Sequence, residues 1–301
     1  MSDVTTILSS TVRLSVPLAF AACGEYVAER AGTLNLSVEA MMLSGAYAGA
    51  IGSSVMHNAG AGLLWGIAVG VVVGAIQGTM SHRARANPFV VAITLNVLAL
   101  GVTSYLADTL AMHAHQAGIL TIPVLSHVPF VGRPLFSERW PAFALYALVP
   151  FVWWVMQRRR FGLELRAVGE NPAAADVSGI DVDRRRRQAL LWCGALSGLG
   201  GAFLAVGEVG TFTTNMTAGR GYIVIAAVIF GGWTLRGTIA GCFLFGGADA
   251  LRLALPAIGY TLNPQLLVVA PYVLPLVVMA VFSVRRRQPA ALAQPFERAS
   301  S

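Results

Sequence analysis

Long apolar stretches, broken at intervals by arginine, recur along most of this chain and leave few folds open to it. With charges as breakpoints they run Ile7 to Cys23, Leu34 to Val55, Leu63 to Met80, Pro88 to Ala107, Trp140 to Met156, Ala189 to Gly207, Tyr222 to Leu235, Gly237 to Leu255 and Leu262 to Val284. A bilayer core takes about 20 helical residues, and backbone in lipid must satisfy its polar groups within its own segment, so these stretches read as helices. The seventh is too short to cross simply. With 56% hydrophobic and 12% charged residues and a mean hydropathy of +0.67, the expected fold is an all-α polytopic membrane protein. It has about nine transmembrane or partly re-entrant helices in a single membrane domain over residues 1–301.

The formal charge of +7 is carried entirely by arginine, since the chain has no lysine. Its placement argues for topology and against nucleic acid. Alternating nine spans from an outside N-terminus puts 16 arginines in cytoplasmic segments: Arg30, Arg83, Arg85, Arg158 to Arg160, Arg166, Arg184 to Arg187, Arg236, Arg285 to Arg287 and Arg298. Arg133, Arg139 and Arg220 fall outside, and Arg13 and Arg252 fall within spans. The positive-inside rule prefers this orientation, with a cytoplasmic C-terminus. Glu25, Glu29 and Arg30 come straight after the first span without a small-residue cleavage pattern, so that span reads as an uncleaved helix. Cys23, Cys193 and Cys242 have no paired spacing and read as small packing residues.

Without lysine there is no GxxxxGK[ST] phosphate loop and no lysine Schiff base. HExxH and GxSxG are absent, and His113 and His115 have no third metal ligand nearby, so neither a metal site nor a catalytic residue is expected.

Between two basic runs, Arg158 to Arg160 and Arg184 to Arg187, lies the longest polar segment, 158–187. It contains Val168-Gly-Glu-Asn-Pro-Ala-Ala-Ala-Asp-Val-Ser-Gly-Ile-Asp181. Asn171 is a natural N-cap and Pro172 a natural first helical residue, while Gly179 can take the left-handed conformation that ends a helix after about two turns. A short capped helix on the cytoplasmic side suggests a membrane protein driven by a soluble partner.

Two glycine-interrupted regions occupy roughly corresponding places in two halves: Glu29 to Met42, and Thr214 to Tyr222 followed by Phe230-Gly-Gly-Trp233. Such a two-half repeat with broken apolar segments points to a transport site near the midplane. The run Gly66, Gly70, Gly74, Gly78 reads as a helix-packing face, and Gln77 and Asn96 as interhelical hydrogen-bonding groups. Glu39 either accepts hydrogen bonds from a solute or pins the broken helix against Arg30 or Arg236. Glu208 and Asp249 read as structural, Asp249 being placed three residues before Arg252.

Taken together and in order, Glu29-Arg-Ala-Gly-Thr-Leu-Asn-Leu-Ser-Val-Glu-Ala-Met-Met-Leu43, Val168 to Ile180 and Ala226-Ala-Val-Ile-Phe-Gly-Gly-Trp233 resemble permease subunits of bacterial ABC importers of the branched-chain amino acid and ribose class. Glu39 and the methionines after it resemble the nucleoside and simple-sugar subfamily, ribose-type members carrying glycine there and an extra N-terminal span. Ser37 and Ala40 stand where glycines are commoner, and Thr234-Leu-Arg236 replaces a His-Pro-containing turn.

The resemblance implies a permease in the bacterial plasma (inner) membrane that binds no cofactor itself. ATP and magnesium would sit on a separate ATP-binding cassette ATPase. Further implied partners are a second permease subunit, homologous or identical, and an extracytoplasmic solute-binding protein received by the outer loop 108–139, with membrane lipid around the bundle. Coupling to the ATPase would run through Gly169, Glu170, Asn171, Pro172, Ala175, Asp176 and Gly179. Asn35, Ser37, Glu39, Tyr47, Asn96 and Trp233 are the residues expected to line a substrate pathway. The competing reading is a stand-alone proton-coupled secondary transporter, which would use Glu39 or Glu208 and ignore the capped helix.

Overall fold

A computed structural model describes residues 3–109, 114–123, 132–257 and 288–296, together with Val273 and Val277. The ninth apolar stretch is otherwise outside these residues, as are His113, Arg285 to Arg287 and Arg298. The helices are α1 (Asp3–Arg30), α2 (Val38–Met56), α3 (Ala59–His82), α4 (Pro88–Thr109), α5 (Gly132–Phe136), α6 (Ala142–Arg158), α7 (Arg160–Glu170), α8 (Pro172–Val177), α9 (Val182–Ala202), α10 (Arg220–Phe230) and α11 (Leu235–Ala257). A π-helical turn, Phe203–Val209, prolongs α9. Among the described residues, four rods are long and apolar enough to cross a membrane: Thr5–Arg30, Ala59–His82, Pro88–Ala107 and Val182–Val209. Shorter apolar helices are α6 and the 11-residue α10, which occupies the stretch expected to be too short to span.

The all-α expectation needs one amendment. The loop between α4 and α6 carries two short antiparallel strands, β1 (Ile119–Thr121) and β2 (Ser137–Arg139), with Leu120 opposite Glu138. The strands in this expected outer loop escaped a sequence reading because three-residue strands carry no usable periodicity.

At the centre stands α9, packed against α1, α2 and α3. Small residues make this possible. A Cβ on Gly70 would run into the carbonyl of Gly194 and the Cα of Gly198, and one on Gly66 into Ala202. A Cβ on Gly74 would lie 2.5 Å from the Leu190 oxygen. Gly45 of α2 meets Gly198 from another side. The expected packing face is therefore real for three of its four glycines. Gly78 is the exception, where an added Cβ would make ordinary contact with Arg187 at 3.4 Å. Backbones brought this close gain dispersion and polar contacts where lipid offers no hydrophobic incentive for helices to associate.

The first helix is longer than its apolar stretch suggests. It continues to Arg30 with Glu25 and Glu29 fully buried, so these two carboxylates are core groups and not a membrane-boundary signal. They are tolerated because the irregular segment from Ala31 to Ser37 folds back to meet them. Asn35 offers its amide N–H to Glu25 Oε1 at 3.4 Å and its side-chain NH2 to Oε2 at 3.3 Å. Cys193 donates to the same Oε2 at 3.2 Å, a polar task beyond the packing role expected for it.

Candidate functional site

The two broken regions singled out in the sequence meet in space, and Glu39 joins them. Residues Asn215 to Gly221 turn tightly ahead of α10, with Gly219 at φ +83°. That turn directs the first N–H groups of α10 at the Glu39 carboxylate. Oε1 accepts from the Thr217 hydroxyl at 2.6 Å and the Gly219 N–H at 2.9 Å, while Oε2 accepts from the Gly221 N–H at 2.6 Å. A helix N-terminus presents orphan donors and a partial positive charge, so a carboxylate there is stabilised both ways. Gly221 is needed because a Cβ would overlap the backbone of Glu39 itself. Arg30 and Arg236, the partners anticipated for Glu39, are not the groups that bind it; Thr217, Gly219 and Gly221 are. Arg30 instead lies 3.7 Å from Glu170.

The start of α2 is satisfied from a different helix. Asn96 of α4 accepts the Ala40 N–H at 2.9 Å, donates to the Leu36 carbonyl at 2.9 Å, and donates to the Tyr222 hydroxyl at 3.0 Å. Two helix N-termini, those of α2 and α10, thus converge on Glu39, Asn96, Thr217 and Tyr222. Tyr222 is half exposed, with its ring and its own hydroxyl hydrogen available beside Asn96. Glu39 is buried, and its carboxylate oxygens accept from Thr217, Gly219 and Gly221. What this junction exposes is an aromatic face with neutral hydrogen-bonding groups.

The other expected pathway residues do not gather at this point. Asn35 and Ser37 are fully buried and pair with each other, Ser37 donating its N–H at 3.1 Å and its hydroxyl at 2.6 Å to Asn35 Oδ1. Tyr47 packs edge-on to Phe212 at 5.2 Å, and its hydroxyl has no partner among the described residues. Trp233, at φ +53°, donates its indole N–H to Glu29 at 2.5 Å. Thr217, Gly219, Gly221 and Tyr222 were missing from the sequence-derived site. The pattern Thr-x-Gly-x-Gly directly ahead of an apolar run is the signal that marks them.

At the arginine-rich end the capped helix is present. Asn171 accepts the Ala174 N–H at 3.0 Å, Pro172 is the first helical residue and Gly179 sits at φ +83°. The unexpected element is α7, which delivers the chain to it. Gly162, Leu165, Val168 and Gly169 form its buried face. Gly169 and Glu170 belong to this preceding helix, and a Cβ on Gly169 would collide with the Arg30 carbonyl. Ala175 is likewise turned inward, against Val168 and Val182. Outward stand Glu170, Asn171, Ala173, Ala174, Ser178, Gly179 and above all Val177, which is 91% exposed.

The opposite end is tied by charge. Arg13 pairs with Glu208, and Arg139 of β2 donates to the Ala117 carbonyl at 2.5 Å. Asp249 holds both Arg252, at 2.9 Å, and Arg220, at 3.6 Å. In β2, burial pushes the Glu138 carboxyl up to about 7, with the Glu208 charge adding and Arg13 and Arg139 opposing. The folded chain therefore holds this proton more tightly than the unfolded one, whose value is 4.5. Stability from this group is full below about pH 4.5 and is lost as pH rises through about 7. Glu138→Gln should flatten that slope: between about pH 5 and pH 8 wild-type Tm should fall by a few degrees more than the variant's. Parallel melting curves would contradict this.

A sequence profile described as "Branched-chain amino acid transport system / permease component" matches residues 7–282. The chain belongs to this family. As a permease component it is a non-catalytic, multi-pass membrane transport subunit. Among its relatives are a putative glucose ABC transporter permease of Haloferax volcanii (TsgC13), 32% identical over 99% of both chains. The nucleoside ABC transporter permease NupC of Lactococcus lactis is 32% identical over 92% of both chains. The guanosine ABC transporter permease NupQ of Bacillus subtilis is 30% identical over 98% of both.

Proposed function

We propose that this permease is the membrane-spanning subunit of an ATP-binding cassette importer for a nucleoside or simple-sugar-like solute, with energy supplied by a separate ATPase. The observation that carries the coupling half of this reading is α8, a capped helix that exposes Val177 while its inner face is anchored to α7 and α9. The solute class rests on the names borne by full-length relatives. The convergence of α2 and α10 supports it physically, since an aromatic face beside neutral hydrogen-bonding groups suits a base or a sugar ring.

In this reading nine spans form two related halves in one domain, with the N-terminus outside and the C-terminus cytoplasmic in a bacterial plasma membrane. Two permease subunits pair, and Tyr222 and Asn96 face the path between them. A solute-binding protein docks over the hairpin end. Asn35, Ser37 and Glu39 hold the broken helix in shape behind the path, with Tyr47 and Trp233 towards its two ends.

Val177→Arg tests the coupling. Its side chain is almost entirely free, so folding should be unaffected while co-purification of the ATPase and ATP-driven uptake fall at least tenfold. Unchanged uptake would remove α8 from the coupling path, and uptake without any ATPase would favour a proton-coupled carrier.

A further inference from the structure

A guanidinium is buried at the arginine-rich end with most of its donors unused. Arg186, on the first turns of α9, is 2% exposed. One terminal nitrogen donates to the Gln294 carbonyl at 2.8 Å, while Nε and Nη2 have no partner among the described residues. Asp183, one turn earlier on α9, opposes this charge electrostatically but makes no hydrogen bond to it, so the buried donors stay unsatisfied, and arginine cannot escape by losing its proton.

Beside it lies a cavity of about 350 Å³, lined by Arg186 together with His82, Arg85 and Asp183. The segment 293–296 forms one wall, held in place by the Ala293 N–H on the Gly32 carbonyl at 3.1 Å and by the Ala291 N–H on the Gly169 carbonyl at 2.9 Å. An adjoining space of about 540 Å³ shares His82, Arg85 and Asp183 and adds Arg83 and Arg187. In the first space Arg85 and Arg186 outnumber the single acid Asp183, whereas in the second Arg83, Arg85 and Arg187 are matched by Asp176, Asp181 and Asp183, so the excess positive charge lies in the cavity beside Arg186. Phe89 also lines the first cavity, and from it an exposed apolar strip runs along α4 through Val90 and Ile93.

We propose that this cavity binds a phosphate group, with Arg186 supplying a forked pair of N–H donors and Arg85 a second positive charge. Arginine's planar fork matches phosphate oxygens two at a time, and the unpaired Nε and Nη2 are the two donors such a contact uses. Either an anionic phospholipid headgroup, its chains lying along the Phe89–Ile93 strip, or a free cytosolic phosphate supplies this chemistry. Once bound, the phosphate clamps segment 288–296 against α9 and the Ala31 to Ser37 turn, directly beneath α8.

The test uses full-length protein in nanodiscs of phosphatidylcholine alone, with added inorganic phosphate, or with phosphatidylglycerol mixed in, against chloride at matched ionic strength. Wild type should gain roughly 2–4 °C in Tm from one of the two additions, saturably. Phosphatidylglycerol alone identifies the lipid, and inorganic phosphate alone identifies the solute. Arg186→Gln and Arg85→Gln should each weaken that gain at least tenfold in half-saturating concentration, and Arg85→Gln carries the test if Arg186→Gln fails to fold. No gain over chloride, or a gain unchanged in Arg85→Gln, overturns the proposal.

Discussion

Gly70→Leu should leave almost no folded protein. The backbones of α3 and α9 touch at this residue, so the new side chain has no rotamer to escape into and must push apart the two rods on which the bundle is built. Overpacking a well-filled core costs about 1–3 kcal/mol when side chains can yield. Here the obstacles are the Gly194 carbonyl and the Gly198 backbone, so the cost exceeds that range and takes up much of a typical stability of about 5–15 kcal/mol. The measurement is the monodisperse fraction in size-exclusion chromatography of detergent extracts. Gly78→Leu, two helical turns away where an added Cβ meets Arg187 and Leu190 at ordinary distance, is the control and should be tolerated. If Gly70→Leu elutes and melts like wild type, the α3–α9 contact is not what holds the bundle.

Glu39→Gln should abolish uptake in a protein that still inserts. The glutamine carbonyl can replace one carboxylate oxygen, but its NH2 then faces an N–H or the Thr217 hydroxyl where an acceptor stood. An orphaned buried donor costs about 1–3 kcal/mol, and losing the charge removes the stabilisation of the α10 N-terminus as well. A total of about 3–4 kcal/mol corresponds to faster amide exchange at Gly219 and Gly221 by two to three orders of magnitude. The readouts are that exchange and initial uptake rate. Tyr222→Phe separates structure from solute contact: it leaves the Glu39 hydrogen bonds intact and should raise KM with little change in exchange. Normal transport by Glu39→Gln would show that the α2–α10 junction is dispensable.

What could be read from the sequence was local. Asn171, Pro172 and Gly179 impose their geometry within a few residues, and each does what its chemistry dictates. The glycine run on α3 was legible for the same reason, although its partner residues on α9 were not. Glu39 shows where such reading stops. Its three donors lie some 180 positions away, and no local pattern chooses between an arginine and a helix N-terminus as partner. Glu25 and Glu29 misled because charges usually mark the membrane boundary, whereas here Asn35, Cys193 and Trp233 come back to them. α7 was hidden by its own arginines, which sit opposite a narrow buried face made partly of glycine.

The continuous helical rod Val182–Val209 has a mechanical consequence. Its 28 residues make it about 40 Å long at 1.5 Å per residue, with α8 adjoining one end and the Arg13–Glu208 pair at the other. Because α3 is locked to it along backbone, the two turn as one beam. By simple leverage, a tilt of about 5° about one end carries the other through roughly 3–4 Å, more than the length of a hydrogen bond. A small push at the arginine-rich end would therefore reach the hairpin end, where Glu208 sits, as a displacement of that size, with no messenger but the stiffness of the beam.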